Sequence, residues 1–414
     1  MKLPAGLRAL RHRDFRLFFA GQGTSQLGTW LQLIATSWLV YRLSGSTFLL
    51  GLAAFAIQIP FLVLAPLAGV LVDRHDARRV LLVTNSVAAG QASVMFLLVA
   101  TGRVEAWHLV AGNLVLGILN ACDSPARQSI LIRLVGGRAD LANAIALNST
   151  MMNGARFLGP MIGGALIAAL GEPWAFGINA LSYSAMLAAL SRIGSSSLER
   201  QPSNEGLLRQ VSAGAAWAWN FLPARCALLL NATTSLSVGS YVAMLPWFAR
   251  EAFHGDSRTL GFLISAAGFG AVSGMIYLAM RPSVRGLFRV IGITSATAGA
   301  ALLAFASSGS FWVALPALYA VGMGLMLTAA STNTLLQSIV PDELRGRVAS
   351  LYVMSFIGVA PIGALATGWA SERVGPPVAL AACGAIALVA ALVYRTRLPA
   401  IRREIRPVYE RIGL

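Results

Sequence analysis

Arg156 stands inside the long apolar run 144–170. A charge at that depth is costly unless it is paired, wetted or drawn out to the interface. By i, i+4 steps Arg156 shares a helical face with Asn148 and Met152. Facing a cavity, it would attract an anionic or oxygen-rich substrate; the alternatives are a structural pair with Asp123 or a helix-end carbonyl, or snorkelling. The other embedded polar positions are uncharged: Gln22, Gln26 and Trp30 at one-turn steps, then Gln58, Asn113 and Asn120, and in the second half Asn231, Tyr241 and Asn333. Each alone could bond helix to helix. Together they suggest an amide- and aromatic-lined cavity at the seam between two bundles.

Other chemistry is sparse. The three cysteines, Cys122, Cys226 and Cys383, lie far apart without metal-ligand spacing, and the four histidines form no HExxH and no nucleophile-histidine-acid set. No cofactor or metal is implied, and the chain reads as no enzyme. No Asp or Glu falls near the middle of an apolar stretch, so proton coupling would use boundary acids, Asp73 or Asp123, or the substrate's own titration.

The elements that must position these residues are membrane helices. Hydrophobic residues make up 57% of the 414 and charged ones 12%, with mean hydropathy +0.69, which excludes the charged surface of a soluble protein. Apolar stretches long enough to cross a bilayer recur at 17–40, 47–72, 80–101, 106–123, 144–170, 174–192, 223–249, 259–280, 287–308, 311–333, 348–370 and 376–394. These predict an all-α membrane protein of twelve helices. Alternate connecting segments are rich in arginine, and the tail carries Arg395, Arg397, Arg402, Arg403, Arg406 and Arg411. That bias places both termini in the cytoplasm and makes the net charge of +16 a matter of topology, with no nucleic-acid partner. The basic N-terminus runs into an apolar stretch too long for a cleavable signal and reads as a cytoplasmic tail. The longest polar break gives expected divisions at 1–192, a linker at 193–222 with a possible amphipathic helix, and 223–414. The halves echo each other: QSI at 128–130 returns at 337–339, expected in each half after the fourth helix and before the fifth, as in a duplicated six-helix repeat.

The stretches LRHRDFRLFFAGQGTSQLGTWLQLIATSWLVYRLSGS (10–46), GVLVDRHDARRVLL (69–82), NACDSPARQSILIRLVGGRADLANAIALNST (120–150), GARFLGPMIGG (154–164) and VPDELRGRVASLY (340–352) resemble the major facilitator superfamily. The resemblance is to its bacterial exporter branch, the transmembrane secretion effectors, which includes the enterobactin exporter. It implies a major facilitator fold of two pseudo-symmetric six-helix bundles. A conformational latch would use Asp73, Arg74, Arg78, Arg79, Arg345 and Arg347. Here Asp76 stands where the superfamily pattern has glycine and Ala77 where it has arginine, and MRPSVRG at 280–286 lacks the matching acid. Gly159, Pro160, Gly163 and Gly164 are similar to the exporters' glycine-proline signature, a gating bend or else a packing kink. The implied activity is export of a small amphipathic or aromatic compound, a catecholate siderophore among them, by alternating access and proton antiport at the inner membrane. Alternatives are a broad-spectrum multidrug efflux pump, a lysophospholipid or lipid transporter, and a non-transporting receptor or scaffold. Membrane lipids, a small-molecule substrate and protons are the expected partners of a functional monomer.

Overall fold

The computed structural model describes residues 5–135, 138–194 and 215–411, with side chains described except at 5–6, 65–74, 138–139, 342 and 411. Among these residues the chain forms helices and turns and no strand. The long helices are α1 (Arg13–Ser44), α2 (Thr47–Arg74), α3 (Ala77–Ala100), α4 (Ala106–Leu134), α5 (Arg138–Leu170), α6 (Glu172–Arg192), α7 (Leu222–Ala252), α8 (Ser257–Ala279), α9 (Leu287–Ala306), α10 (Phe311–Ile339), α11 (Arg345–Val374) and α12 (Pro376–Arg411). A 3-10 turn, Ala5–Arg11, precedes α1. α7 tightens at Val238–Ser240 and widens into a π turn at Phe248–Ala252, and α11 widens at Met354–Gly358.

Among the described residues nine helices, α2 to α4 and α7 to α12, are long and apolar enough to cross a membrane. The three that fall short are lowered by embedded polar side chains, among them Gln22, Gln26 and Gln32 on α1, Asn148, Asn153 and Arg156 on α5, and Asn179 on α6. Apolar side chains such as Leu97, Leu181, Ile276, Trp312 and Val389 are exposed, as expected of a surface solvated by lipid rather than water.

Several helices outrun the apolar stretches that announced them. Hydropathy marks where lipid ends, but backbone hydrogen bonding continues into polar flanks until a cap stops it. α4 therefore reaches Leu134 and α10 reaches Ile339, so both QSI copies lie in the last turns of these helices and not between helices. Asp123 consequently sits inside α4, not at its edge. α1 ends at Gly45, whose φ of 63° suits glycine and whose N–H bonds the Tyr41 carbonyl at 2.8 Å. Asp76, the departure from the family pattern, caps α3 by accepting from the Arg78 and Arg79 amides at 2.7 and 3.4 Å.

Two compact units form, one from 1–45, 56–202 and 255–265, the other from 46–55, 203–254 and 266–414. The start of α2 thus groups with the second unit and the start of α8 with the first. In the first unit α6 packs on α1 and α3, and α1 also on α5. Gly28 makes the α1–α6 crossing possible, since a Cβ there would overlap the Ser182 and Asn179 side chains. Phe15, Phe18, Leu81, Met186 and Leu190 fill one end of this unit. In the second unit α9 packs against α10 and α12, and Leu287, Ile291, Leu336, Ile401 and Ile405 lie in its core.

Small residues set these distances because lipid tails supply no hydrophobic drive for helices to associate. At the α8–α10 crossing, a Cβ on Gly270 would strike the Tyr319 carbonyl, and one on Gly322 the Ala267 carbonyl. Gly270→Ala should cost about 1–3 kcal/mol and lower the melting temperature in detergent. Gly90→Ala, where a Cβ meets nothing within 4 Å, should leave it unchanged or raise it.

Candidate functional site

On the first half of α5, Ile145, Ser149, Met152 and Arg156 are exposed and Asn148 and Asn153 half-buried. A stripe in full contact with lipid would be apolar, whereas this face is mixed, with Ser149 and Arg156 beside Ile145 and Met152. Arg156 makes no hydrogen bond or ion pair with any described residue; of the alternatives to a cavity-facing role, neither the Asp123 pair nor a helix-end carbonyl is formed. One turn back, the Met152 sulfur accepts from the Gln22 amide at 3.6 Å. The Gln22 carbonyl oxygen is buried without a partner. α5 thus carries an exposed cation one turn from Met152, and α1 a buried acceptor behind that methionine.

Behind this face Gly159 provides a seat for Trp30: a Cβ at 159 would lie 2.6 Å from the Trp30 Cβ. Pro160 is buried in the unbroken α5, Gly163 packs on Leu31 at ordinary contact distance, and Gly164 abuts the start of α8 with Gly261 opposite. Of the remaining candidates in this unit, Gln58 and Gln26 are half-buried, Asn113 buried and Asn120 exposed. The structure does not gather these four around Arg156 by any hydrogen bond between described residues.

Asp123 is neutralised within its own helix. It pairs with Arg127 one turn on, and its other oxygen accepts from Thr84 Oγ1 at 3.0 Å and Asn85 Nδ2 at 3.1 Å. Arg127 also donates to Asn85 Oδ1 at 3.4 Å, while its Nη1 is buried without a partner. Sequence reasoning missed this pair because Arg127 counted as a loop charge beyond a helix taken to stop at 123. The i, i+4 spacing across Pro125 was the signal available. A second polar layer escaped it too: Gln32 donates to Gln91 at 3.0 Å and accepts from Asn179 at 2.7 Å, tying α1, α3 and α6 together.

The latch residues divide. The side chains of Asp73 and Arg74 lie outside the described residues. Arg78 donates to the Leu190 and Ser191 carbonyls at 2.7 and 3.1 Å, capping the C-terminus of α6 where a cation is favoured. Arg79 is exposed. In the second unit Arg345 and Arg347 lie in the first turn of α11. There Asn231 donates to Ser355 Oγ at 3.0 Å, Tyr241 is buried, and Asn333 is half-buried without a hydrogen bond to a described residue. Arg281, in the degenerate copy of the gate, wraps its own turn through the Ser283 and Arg285 carbonyls.

The N-terminal turn is fastened to the start of α5. Asp140 pairs with Arg11 at 2.6 Å and with His12 Nε2 at 2.9 Å, and Asn143 accepts the Ala9 amide at 2.9 Å. The His12 hydrogen bond, followed by that from Arg11, holds the Asp140 carboxyl below its ordinary range. A depressed carboxylate stabilises the docked turn at neutral pH and ceases to do so as pH falls through its folded pKa. Asp140→Asn should therefore speed tryptic cleavage after Arg11 at pH 7.5, with the rest of the chain still protected.

Removing one partner of the Asp123–Arg127 pair leaves a largely buried charge uncompensated. Arg127→Met should cost about 3–5 kcal/mol in thermal or denaturant unfolding in detergent. Adding Asp123→Asn should recover most of that loss, because the orphan charge is then gone.

Among the described residues no group of three His, Cys, Asp or Glu side chains is placed to hold a metal. The fold is similar to those of several solved transporters. It superposes on the nucleoside transporter NupG with TM-score 0.75 at 11% identity, over 93% of this chain and 98% of that one. On an inward-facing bacterial homologue of the lysosomal transporter Spinster it gives 0.71 at 14%, over 95% and 98%. In sequence it is 27% identical over 392 residues to the multidrug efflux pump Tap of Mycobacterium tuberculosis, 91% of each chain. It is 22% identical over 352 residues to the staphyloferrin A transporter of Staphylococcus aureus, 84% of this chain and 87% of the relative. Residues 5–409 match the family described as transmembrane secretion effectors. The chain belongs to that family of the major facilitator superfamily, and is a multi-pass inner-membrane protein that moves small molecules by secondary, alternating-access transport.

Proposed function

We propose that the chain is an efflux pump for a range of amphipathic compounds, driven by proton antiport from cytoplasm to periplasm. Its helices form two six-helix bundles, at 1–192 and 223–414, joined by a cytoplasmic linker at 193–222, of which 195–214 lie outside the described residues, with both termini cytoplasmic and the protein acting as a monomer. The observation that carries this reading is the exposed Arg156, which has no partner among the described residues. A single cation on a face with sulfur and amides favours compounds with an acidic or oxygen-rich end, without the dense polar set that a single substrate demands. Tap, matched over more of the chain and at higher identity than the staphyloferrin A transporter, supports breadth over a single siderophore. Asp123 is the proton acceptor in this reading: protonating it frees Arg127 from its partner and changes the electrostatics of α4. Asp73 is the other candidate, and Arg74, Arg78, Arg79, Arg345 and Arg347 act as latch residues.

Uptake into everted vesicles with an acidified lumen tests the reading. Several unrelated anionic and zwitterionic amphiphiles should accumulate and be lost on adding a protonophore. Arg156→Ala should cut flux of the anionic ones about tenfold, the worth of a single charge-assisted hydrogen bond, and spare neutral ones. Transport of a single catecholate or carboxylate siderophore alone would sink the broad-spectrum proposal, and flux of cationic dyes indifferent to Arg156 would remove it from the site.

A further inference from the structure

Two helices begin on residues that group with the other part of the chain, and they are held there by different chemistry. α8 caps itself: Asp256 accepts from the Arg258 and Thr259 amides at 2.9 and 3.3 Å. Its seat on α5 uses neutral groups, Ser257 Oγ donating to the Gly164 carbonyl at 3.1 Å and Ser265 Oγ to the Phe157 carbonyl at 3.0 Å. α2 has no acid of its own in its first turn. It borrows one from 325 residues away: Glu372, near the end of α11, accepts on a single oxygen from Thr47 N at 2.9 Å, Thr47 Oγ1 at 2.9 Å, Phe48 N at 3.1 Å and Ser46 Oγ at 3.2 Å.

Below this cap the two helices touch through glycine. A Cβ on Gly51 would lie 2.6 Å from the Ala364 carbonyl and 3.1 Å from the Gly368 Cα, and Thr47 Oγ1 is 3.4 Å from the Gly368 carbonyl. Nothing in this contact except Glu372 titrates. Residues 46–55 carry no charge. Arg373, beside Glu372 on α11, is turned over the Trp369 ring at 3.6 Å. On the elements packed against α11, α7 offers Arg250 and Glu251, 3.7 Å from each other, and α12 has no charged residue before Arg395. Arg42, before α2, pairs with Glu172 at 2.8 Å. Glu372 itself is exposed, so protons from solution reach it.

We infer that Glu372 is a proton-released clasp of the outer gate: ionised, its carboxylate holds the start of α2 on α11, and protonation from outside lets α2 go. It is a positioning residue, acting on a helix and not on substrate. The sidedness rests on the transporter reading above, in which an inside N-terminus puts the start of α2 and the end of α11 outside. The physics is that of a helix cap. A carboxylate accepts from backbone amides about twice as strongly as a neutral oxygen and also meets the positive end of the helix dipole, and both are lost on protonation. Because α8 is capped by its own Asp256, the same proton dose has no cap to remove between α8 and α5. An acidic exterior would therefore loosen one gate contact selectively, which is how an inward proton gradient could favour the outward-open state that releases an exported compound.

The test uses the full chain with Cys122, Cys226 and Cys383 replaced by serine, in right-side-out proteoliposomes with internal pH fixed. A membrane-impermeant maleimide is applied to Leu50→Cys, 2% exposed beneath the clasp, and to Leu43→Cys, 43% exposed, as the reference for reagent chemistry. The ratio of the two rates should be low at external pH 8 and rise about tenfold as pH falls through the carboxylate range, the equivalent of one lost charged cap. Glu372→Gln should give a high ratio independent of pH, and Glu372→Asp should restore the pH dependence, which a merely structural glutamate would not do. A flat ratio with glutamate in place, or a low and pH-sensitive ratio in Glu372→Gln, overturns the inference. The readout needs no substrate. A ratio that titrates in a protein with no flux on the compound panel would uphold the clasp and refute the efflux reading, whereas flux with a flat ratio would do the reverse.

Discussion

Lipid supplies no hydrogen-bond partner and little screening, so each polar group in this chain must find its partner inside the protein or beside water. That constraint accounts for the helices, and it accounts for the glycines where they cross. With no hydrophobic gain from moving a leucine out of lipid, helices are held by close packing and by small polar bonds. Gly28 under Ser182 and Asn179, and Gly270 against Tyr319, bring backbones near enough for both. The Gln32–Gln91–Asn179 chain is the polar counterpart, three amides on three helices satisfying one another.

The same constraint sorts the charges. Asp123 and Arg127 cancel, and Thr84 and Asn85 take up one of the carboxylate oxygens. Arg78 is spent on the end of α6 and Asp140 on the N-terminal turn. Arg156 is the embedded charge among the described residues to which none of these accounts applies. An unpaired cation there needs water or a reach to the interface, and the exposed Ser149 and Thr150 lie on the same half of α5. Because Asp140 anchors the start of α5 and Gly164 meets the start of α8, the helix that carries Arg156 is fastened at both ends.

Much of this was legible in the residues because hydropathy is a local property. The apolar runs located each helix, and Arg156 stood out within one of them. What could not be read was anything decided at helix ends or between distant segments. The fourth helix was taken to end with its apolar stretch at 123, whereas α4 runs eleven residues further, and so the partnership of Asp123 with Arg127 went unseen. Asp76 read as a flaw in a family motif, when it is the cap that starts α3. Glu372 carried no signal at all: its partners lie at 46 to 48, and no period or composition links residues that far apart.

The two acids in these networks differ in how a proton would act on them. Asp123 has a cationic partner, so protonation there creates an unpaired guanidinium inside α4 and raises the energy of its surroundings until something moves. Glu372 has neutral donors and the end of a helix, so protonation only weakens a contact that is otherwise glycine on glycine. The first is a charge to be relieved, the second a bond to be released. In the proposed efflux cycle the two responses would be complementary, a proton on Asp123 changing the electrostatics of α4 and a proton on Glu372 loosening the start of α2.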